Sequence, residues 1–218
     1  MNRNLGLLAI CQGLFLTNNI VFIAINGLIG LSLAPLGWMA TLPVMGYVVG
    51  GALSTPLVAR TQAAWGRKVS FQLGLVVALL SALLCGYAVV DKNFWLLVAA
   101  TVIAGYYSAN GQLYRFAAAE LAPLAFREKA VSLVLAGGLI GAVIGPNLAI
   151  RTKGLFAVPF AGAYVALAVV ALLSMVLVSG LKFPPLAPKV AGKHAGRPLG
   201  VIMRQPVFIV STIGAALG

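Results

Sequence analysis

Uncharged polar side chains recur at regular intervals inside the first long apolar segment of this chain. Gln12, Asn19 and Asn26 follow one another seven residues apart. Seven residues make about two turns of an α-helix, so the three amides lie along one face of a predicted helix. A polar group in hydrocarbon is costly unless it faces protein, water or a bound solute. The stripe therefore predicts either a solute-binding wall or hydrogen bonds to a neighbouring helix.

The fourth apolar segment carries a similar stripe. Tyr106, Asn110 and Tyr114 stand four residues apart, which also places them on one helical face. Polar side chains between membrane helices typically contribute about 0.6 to 2 kcal/mol each as hydrogen-bonded contacts. Cavity lining and helix contact both stay open for Asn19 and Asn110, whereas helix contact is favoured for the other members of the two stripes.

Cysteine thiols are soft metal ligands, and this sequence contains two, Cys11 and Cys85, both within predicted helices. A thiol that faces a cavity suits Cu(I), whereas a thiol in a helical core is a small buried hydrophobe. The core interpretation is favoured. No disulfide is predicted, because nothing in the sequence resembles an extracellular cysteine framework.

Catalytic chemistry has few residues to draw on. The carboxylates are Asp91, Glu120 and Glu128, each at a predicted helix end or in a loop, and the single histidine is His194. The sequence has no Ser/His/Asp set, no metal-ligand cluster and no glycine loop followed by Lys-Ser or Lys-Thr. It therefore argues against an enzyme or an ATP-driven pump and predicts no cofactor.

The composition places these residues in a membrane protein. Hydrophobic residues make up 61% of the 218 and charged residues only 8%, with a mean hydropathy of +1.05, whereas soluble domains carry about 25% charged residues. Apolar runs of spanning length predict an all-α membrane bundle. Its six complete helices are Leu5–Ile29, Gly37–Val58, Val69–Val90, Phe94–Ala119, Lys129–Ala149 and Phe156–Leu181.

The residues after the sixth helix differ in character. Residues 182–206 contain five prolines and no apolar periodicity, which predicts a basic cytoplasmic linker after a bundle over residues 1–181. Residues 207–218 are apolar again, but they give only about 18 Å of helix against the roughly 30 Å of the hydrocarbon core. We expect them to be the start of a seventh helix in a longer protein.

The cations are sorted by loop. All of the 15 lysines and arginines except Lys92, Arg151 and Lys153 fall at the amino end, in the even-numbered loops or in the linker. By the positive-inside rule these segments, including the amino terminus, are cytoplasmic. The net charge of +12 therefore indicates topology rather than nucleic-acid binding, because cations on separate loops form no groove.

The turn after the second helix carries a recognisable motif, Ala63-Ala64-Trp65-Gly66-Arg67-Lys68. It resembles the tail of the loop signature of the major facilitator superfamily, Asp-Arg-x-Gly-Arg-(Lys/Arg). Gly66, Arg67 and Lys68 match, whereas Ala63 replaces the Asp and Ala64 the first Arg. In the family that Asp helps to close the cytoplasmic side. The resemblance therefore implies a gating role for the three matching residues, but a cytoplasmic closure without the usual Asp contact.

Glycines recur every fourth residue in the fifth helix. Gly137, Gly141 and Gly145 lie on one face, which lets a neighbouring helix approach closely. Pro146 frees a carbonyl one turn earlier and permits a bend. The run Gly141-x-x-x-Gly145-Pro146 also resembles the first half of the superfamily's antiporter signature, whose second half is missing. A role in packing and conformational change is favoured over an indication of export.

Two charged residues lie near the end of the fourth helix. Arg115 and Glu120 are about 140° apart around the helix, so they do not form a ready-made pair. Snorkelling of these side chains to the membrane surface is the favoured interpretation. Pairing with neighbouring loops, such as the Gly66-Arg67-Lys68 turn, would instead make them part of an inside gate.

Residues 114–120 and 129–138 are similar to one branch of the superfamily, the bacterial CcoA-like transporters. That branch includes copper importers and riboflavin importers. The resemblance implies the amino-terminal half of a 12-helix transporter of the bacterial inner membrane, with the first and fourth helices lining the cavity.

The resemblance also implies a mechanism, alternating access, in which this bundle rocks against a second bundle around a site near the membrane midplane. Copper import is the expected function. Import of riboflavin or another small organic solute is the alternative, a drug/proton antiporter is the third, and a six-helix scaffold protein stands outside transport. The expected partners are the solute or Cu ion, the lipid bilayer and the carboxy-terminal half, without nucleic acid.

Overall fold

The computed structural model describes residues 3–183, 201 and 204–210. These residues form helices and connecting loops, without a β-strand among them, which confirms the predicted all-α fold class. The chain divides into two compact units, residues 1–185 and 186–218, and every helix discussed below belongs to the first. Most of the predicted linker and seventh helix, including His194, lies outside the described residues.

Six α-helices make up the first unit. Their bounds are α1 (Arg3–Leu33), α2 (Leu42–Val90), α3 (Phe94–Gly111), α4 (Tyr114–Leu121), α5 (Arg127–Thr152) and α6 (Ala161–Ser179). Short 3-10 turns over Gly37–Thr41 and Leu124–Phe126 precede α2 and α5. Among the described residues, four helical stretches are long and apolar enough to cross a membrane: Arg3–Leu33, Gly37–Val90, Leu124–Thr152 and Ala161–Ser179.

α2 contains the third predicted span and all of the second except Gly37–Thr41, which form the 3-10 turn before it. Its 49 residues would make a rod of about 73 Å, more than twice the hydrocarbon core, so it must cross the membrane as two spans. The break between them is Gly66, which has a φ of 84° and a ψ of 168°. Glycine adopts this conformation readily because it has no Cβ. The sequence placed a loop over residues 59–68, whereas the structure is helical up to this single glycine.

The fourth predicted helix, Phe94–Ala119, is wrong as one continuous element, because the structure divides it into α3 and α4. The break follows Gly111, against which the ring of Phe15 from α1 is packed. A Cβ on Gly111 would lie 2.1 Å from Phe15 Cε2. The helix therefore ends where a neighbouring aromatic ring fits against bare backbone, which is a tertiary contact.

The sixth helix begins later than predicted, at Ala161 instead of Phe156. Pro159 and Phe160 occupy the turn before it, and Phe160 has a left-handed backbone with φ of 68°. A bulky residue in that conformation cannot continue a right-handed helix. The first and fifth predicted helices lie within α1 and α5, which extend beyond them at both ends.

α1 is the central helix of the bundle. It packs mainly against α5 and α6, while α2 packs against α3 and α6. Buried side chains form two clusters, one around Phe15 and Phe71 and the other around Phe22 and Tyr164.

Glycines make the contact between α1 and α5 a backbone contact. A Cβ on Gly137 would lie 2.3 Å from the carbonyl oxygen of Ala9, and one on Gly141 would lie 2.0 Å from that of Gly13. A Cβ on Gly145 would lie 3.3 Å from its nearest neighbours. The small-residue spacing thus packs α5 against α1, and α5 continues through the exposed Pro146 to Thr152.

Gly141→Ala should destabilise the protein, because the new methyl group would overlap the α1 backbone. Overpacking of this kind costs about 1 to 3 kcal/mol, so the free energy of unfolding of the purified full-length protein in detergent should fall by that amount. Gly27→Ala in α1 is the matched control, since its Cβ would meet only Val44 Cγ2 at 3.9 Å. Equal stability of the two variants would contradict the close α1–α5 contact.

Candidate functional site

A cavity of about 400 Å³ is formed by residues of α1, α2, α3 and the turn that follows α3. Among the described residues its lining contains no charged side chain. The polar groups of the wall are Asn19, Tyr47, Thr55, Ser108 and Gln112. This volume lies within the range of small-molecule sites, about 300 to 1,000 Å³, and the lining of apolar surface with a few polar groups is typical of them.

Asn19 is the member of the α1 stripe that reaches the cavity. Its Oδ1 atom is buried and has no hydrogen-bond partner among the described residues. A buried acceptor without a partner costs about 1 to 3 kcal/mol. A solute that offers a donor to Oδ1 would remove that cost, so Asn19 is a candidate for direct solute contact.

The other two amides of the α1 stripe face neighbouring helices. Asn26 donates to the carbonyl oxygen of Phe22 and accepts from the hydroxyl of Tyr164, each at 2.8 Å, which ties α1 to α6. Gln12 is buried beside Gly138 of α5. The three residues therefore do not share one cavity wall. A helical face drifts about 20° per seven residues, and α1 meets different neighbours along its length.

The polar stripe of the predicted fourth helix, which the structure divides between α3 and α4, faces α2 instead of the cavity. The hydroxyls of Tyr106 and Thr61 are 3.0 Å apart, and Asn110 Oδ1 accepts from Ser70 at 2.7 Å. The hydroxyls of Thr61 and Ser70 are also 3.0 Å apart, which joins the two spans of α2 across Gly66. This network is a helix contact in which Asn110 is nearly fully buried.

Tyr114, the third member of that stripe, packs in the core. Its ring centroid is 4.6 Å from that of Phe71 and 6.2 Å from that of Phe15. The side chain is almost inaccessible, so Tyr114 lies away from the cavity.

Sequence reasoning missed Ser108 and Gln112, which line the cavity. They lie on the face of the predicted fourth helix, Phe94–Ala119, that is opposite to the polar stripe. Each lies two residues beyond a member of the predicted stripe, Tyr106 or Asn110, and two residues are about 200° of helix. The spacing of four residues between Ser108 and Gln112 was the sequence signal that could have identified this face. Periodicity finds the faces of a helix but does not say which face meets a cavity.

A second cavity of about 250 Å³ adjoins the first, because Thr55, Ala109 and Leu113 line both. Its lining also includes Gln62 and Arg67, on either side of the break in α2. The two cavities together extend from Asn19 to this break.

Arg67 pairs with Glu120 through both oxygens of the carboxylate. Its Nε donates to one oxygen and its Nη2 to the other, while Nη1 donates to Gln62 Oε1 at 3.0 Å. The bridge joins the break in α2 to the end of α4. Arg115 is not part of it: its guanidinium lies over the Phe116 ring, 5.0 Å from the centroid.

Lys68 contacts another element, the last turn of α6. Its Nζ donates to the carbonyl oxygen of Ser179 at 2.6 Å. A cation at a helix carboxyl end is favourable because the last carbonyls carry partial negative charge. Gly66, Arg67 and Lys68 thus provide a bend, a link to α4 and a link to α6 in consecutive positions.

The two thiols lie in different parts of the core. Cys11 belongs to the cluster around Phe15 and Cys85 to the cluster around Phe22, and each is at most 1% exposed. Both are free, and in the described part of the chain no three His, Cys, Asp or Glu side chains gather around a possible metal position.

The sequence profile of the Major Facilitator Superfamily matches residues 5–218. The chain belongs to this superfamily. It is therefore a multi-pass membrane protein, and the predicted resemblance to the superfamily is confirmed.

Two curated major facilitator proteins are similar to it. Riboflavin transporter RfnT of Brucella anthropi is 33% identical over 213 residues, which are 96% of this chain and 53% of that protein. Uncharacterized MFS-type transporter YddS of Bacillus subtilis is 29% identical over 119 residues, which are 55% of this chain and 27% of that protein. The chain spans about half the length of the first relative and covers less of the second.

Glu120→Gln should shift the conformational balance of this major facilitator protein without unfolding it. The Glu120 side chain is 53% exposed, and exposed ion pairs contribute at most about 1 kcal/mol. One kcal/mol is still about a fivefold change in a two-state ratio. Spin-label distances across each membrane face of the full-length protein would measure that ratio.

Glu128→Gln is the control, because Glu128 is also exposed and lies outside the Arg67 bridge. We expect it to leave the distances at their native values. If Glu120→Gln also leaves them unchanged, the bridge has no gating role.

Proposed function

We propose that this chain forms one bundle of a secondary transporter that carries a small neutral organic solute, of the flavin class, by alternating access. The cavity beside Asn19 is the observation that carries the proposal. Its described polar groups are amides and hydroxyls, with the ring of Tyr47 beside them. Such a wall suits an uncharged heteroaromatic solute, which needs hydrogen bonds at its edge and contact with its faces.

The similarity to RfnT supports a flavin over a copper ion. That protein is named a riboflavin transporter, and the match extends over almost the whole of this chain. Copper import is expected from the resemblance to the CcoA-like branch, which also includes riboflavin importers. The two thiols do not add support for copper, because Cys11 and Cys85 are buried in separate core clusters. Copper is therefore the second candidate.

We further propose that the protein lies in the bacterial inner membrane with its amino terminus in the cytoplasm. The sorting of cations supports this orientation. Arg67, Arg127 and Lys129 then lie on the cytoplasmic side, and Lys92 and Lys153 on the opposite side.

Expression of the full-length natural protein should restore growth of a riboflavin-requiring bacterium, without a flavin importer of its own, on low external riboflavin. Asn19→Leu should lower the uptake of labelled riboflavin about tenfold, the equivalent of one lost hydrogen bond of about 1.4 kcal/mol. The control is Asn147→Leu, since Asn147 bonds its own helix at the Val143 carbonyl and lies outside both cavities.

The same cells distinguish the two candidates. Riboflavin uptake that depends on Asn19 supports the flavin proposal. Accumulation of copper without riboflavin uptake would replace it with copper import, and a failure to accumulate either would reject both.

The orientation has its own test in intact cells, with membrane-impermeant maleimide as the probe. Lys153→Cys should be labelled from outside, whereas Arg127→Cys should be labelled only after the membrane is opened. Both residues are exposed, and the natural thiols are buried, so background labelling should be low. The opposite pattern would reverse the orientation.

A further inference from the structure

Gln62 has one half of its amide bonded and the other half free. Its Oε1 accepts from Arg67 Nη1 at 3.0 Å, while its Nε2 is buried and has no partner among the described residues. The side chain lines the second cavity, at the end near the break in α2. Gln62 is not part of the motif shared with the superfamily signature.

The orientation of this amide follows from chemistry. A guanidinium group has only donors, so the Gln62 atom that faces Arg67 must be the carbonyl oxygen. The atom left over is therefore the NH2 group, with two donors. A free, buried NH2 group needs an acceptor oxygen, and supplying one removes a cost of about 1 to 3 kcal/mol.

Gln62 and Asn19 line two adjacent cavities. Thr55, Ala109 and Leu113 line both cavities, so the two are adjacent. Arg67 is the charged residue of the described lining, and its charge is paired with Glu120. The two linings together thus offer hydrogen bonds without a net charge, with the amide of Gln62 in one and that of Asn19 in the other.

We propose that Gln62 is a specificity-determining residue that donates from Nε2 to an acceptor oxygen of the transported solute. The inference rests on the proposed function and narrows it to neutral, elongated solutes with a carbonyl or hydroxyl oxygen that reaches the Arg67 end. A flavin has both kinds of oxygen, the ring carbonyls and the hydroxyls of the ribityl chain.

Two substitutions separate the donor from the rest of the side chain. Gln62→Glu keeps an oxygen for Arg67 and removes the NH2 group, whereas Gln62→Met removes the donors without adding charge. Each should raise KM for riboflavin in proteoliposomes containing the full-length protein by about tenfold, the loss of one well-placed hydrogen bond. Thermal unfolding in detergent reports whether each variant is folded.

Gln72→Met is the matched control on the same helix. Gln72 Nε2 already donates to the Met175 carbonyl and to Ser179 Oγ, and Gln72 lines neither cavity. This variant should lower stability and leave KM unchanged, which is the pattern of a purely structural glutamine.

Lumiflavin, which lacks the ribityl chain, distinguishes the two sources of the acceptor oxygen. If both Gln62 variants weaken lumiflavin inhibition as much as riboflavin transport, a ring carbonyl binds Gln62. If they weaken only riboflavin, a ribityl hydroxyl does.

Native KM for riboflavin and native inhibition by lumiflavin in both folded Gln62 variants would overturn this inference and leave the proposed function standing. A wild-type protein that neither binds nor transports a flavin would overturn the proposed function, and the inference with it. A rise in KM for Gln62→Glu alone would mean that added charge is responsible, and would also count against the inference.

Discussion

Hydrocarbon supplies no hydrogen-bond partners, so every polar group in this bundle must be satisfied by protein, water or solute. Most of the polar side chains follow that rule within the described helices. Asn26 pairs with Tyr164, and Asn110 pairs with Ser70. The groups with unmet capacity that also line cavities are the informative ones, because nothing in the apolar surroundings can replace a missing partner. Asn19, Tyr47 and Gln62 are of this kind, and Asn19 and Gln62 define the two ends of the proposed solute path.

The same constraint explains why the turn at Gly66 carries so many roles. A turn between two spans leaves helix ends unpaired, and three consecutive residues here supply the bend and two external contacts. Lys68 caps α6, and Arg67 reaches α4 through Glu120. The family signature has an Asp where this chain has Ala63, so one charged contact of the usual closure is missing. In the described part of this chain, the Arg67–Glu120 bridge is a charged contact at the same turn.

Sequence reasoning found the helices because their length and composition are local properties. It did not find where they break, since Gly111 ends α3 against a ring from α1, and Phe160 delays α6 through its own backbone conformation. The polar stripes were found for the same local reason, but their direction was not. Asn19 faces a cavity and Asn26 faces α6 because different helices cross α1 at the two levels. Ser108 and Gln112 were missed because the spacing of polar residues identifies a helical face but does not say whether that face meets a cavity or another helix.

The Arg67–Glu120 bridge and the proposed hydrogen bond from Gln62 to a solute have similar free energies. The bridge between Arg67 and a half-exposed Glu120 contributes at most about 1 kcal/mol, and one hydrogen bond from Gln62 to a solute contributes about 0.5 to 1.5 kcal/mol. Gln62 accepts from Arg67 in the first, and in the proposal it donates to the solute in the second. Bonds in such a chain strengthen one another in a medium of low dielectric. Under the proposal, a neutral solute bound at Gln62 would therefore bias this weak bridge measurably.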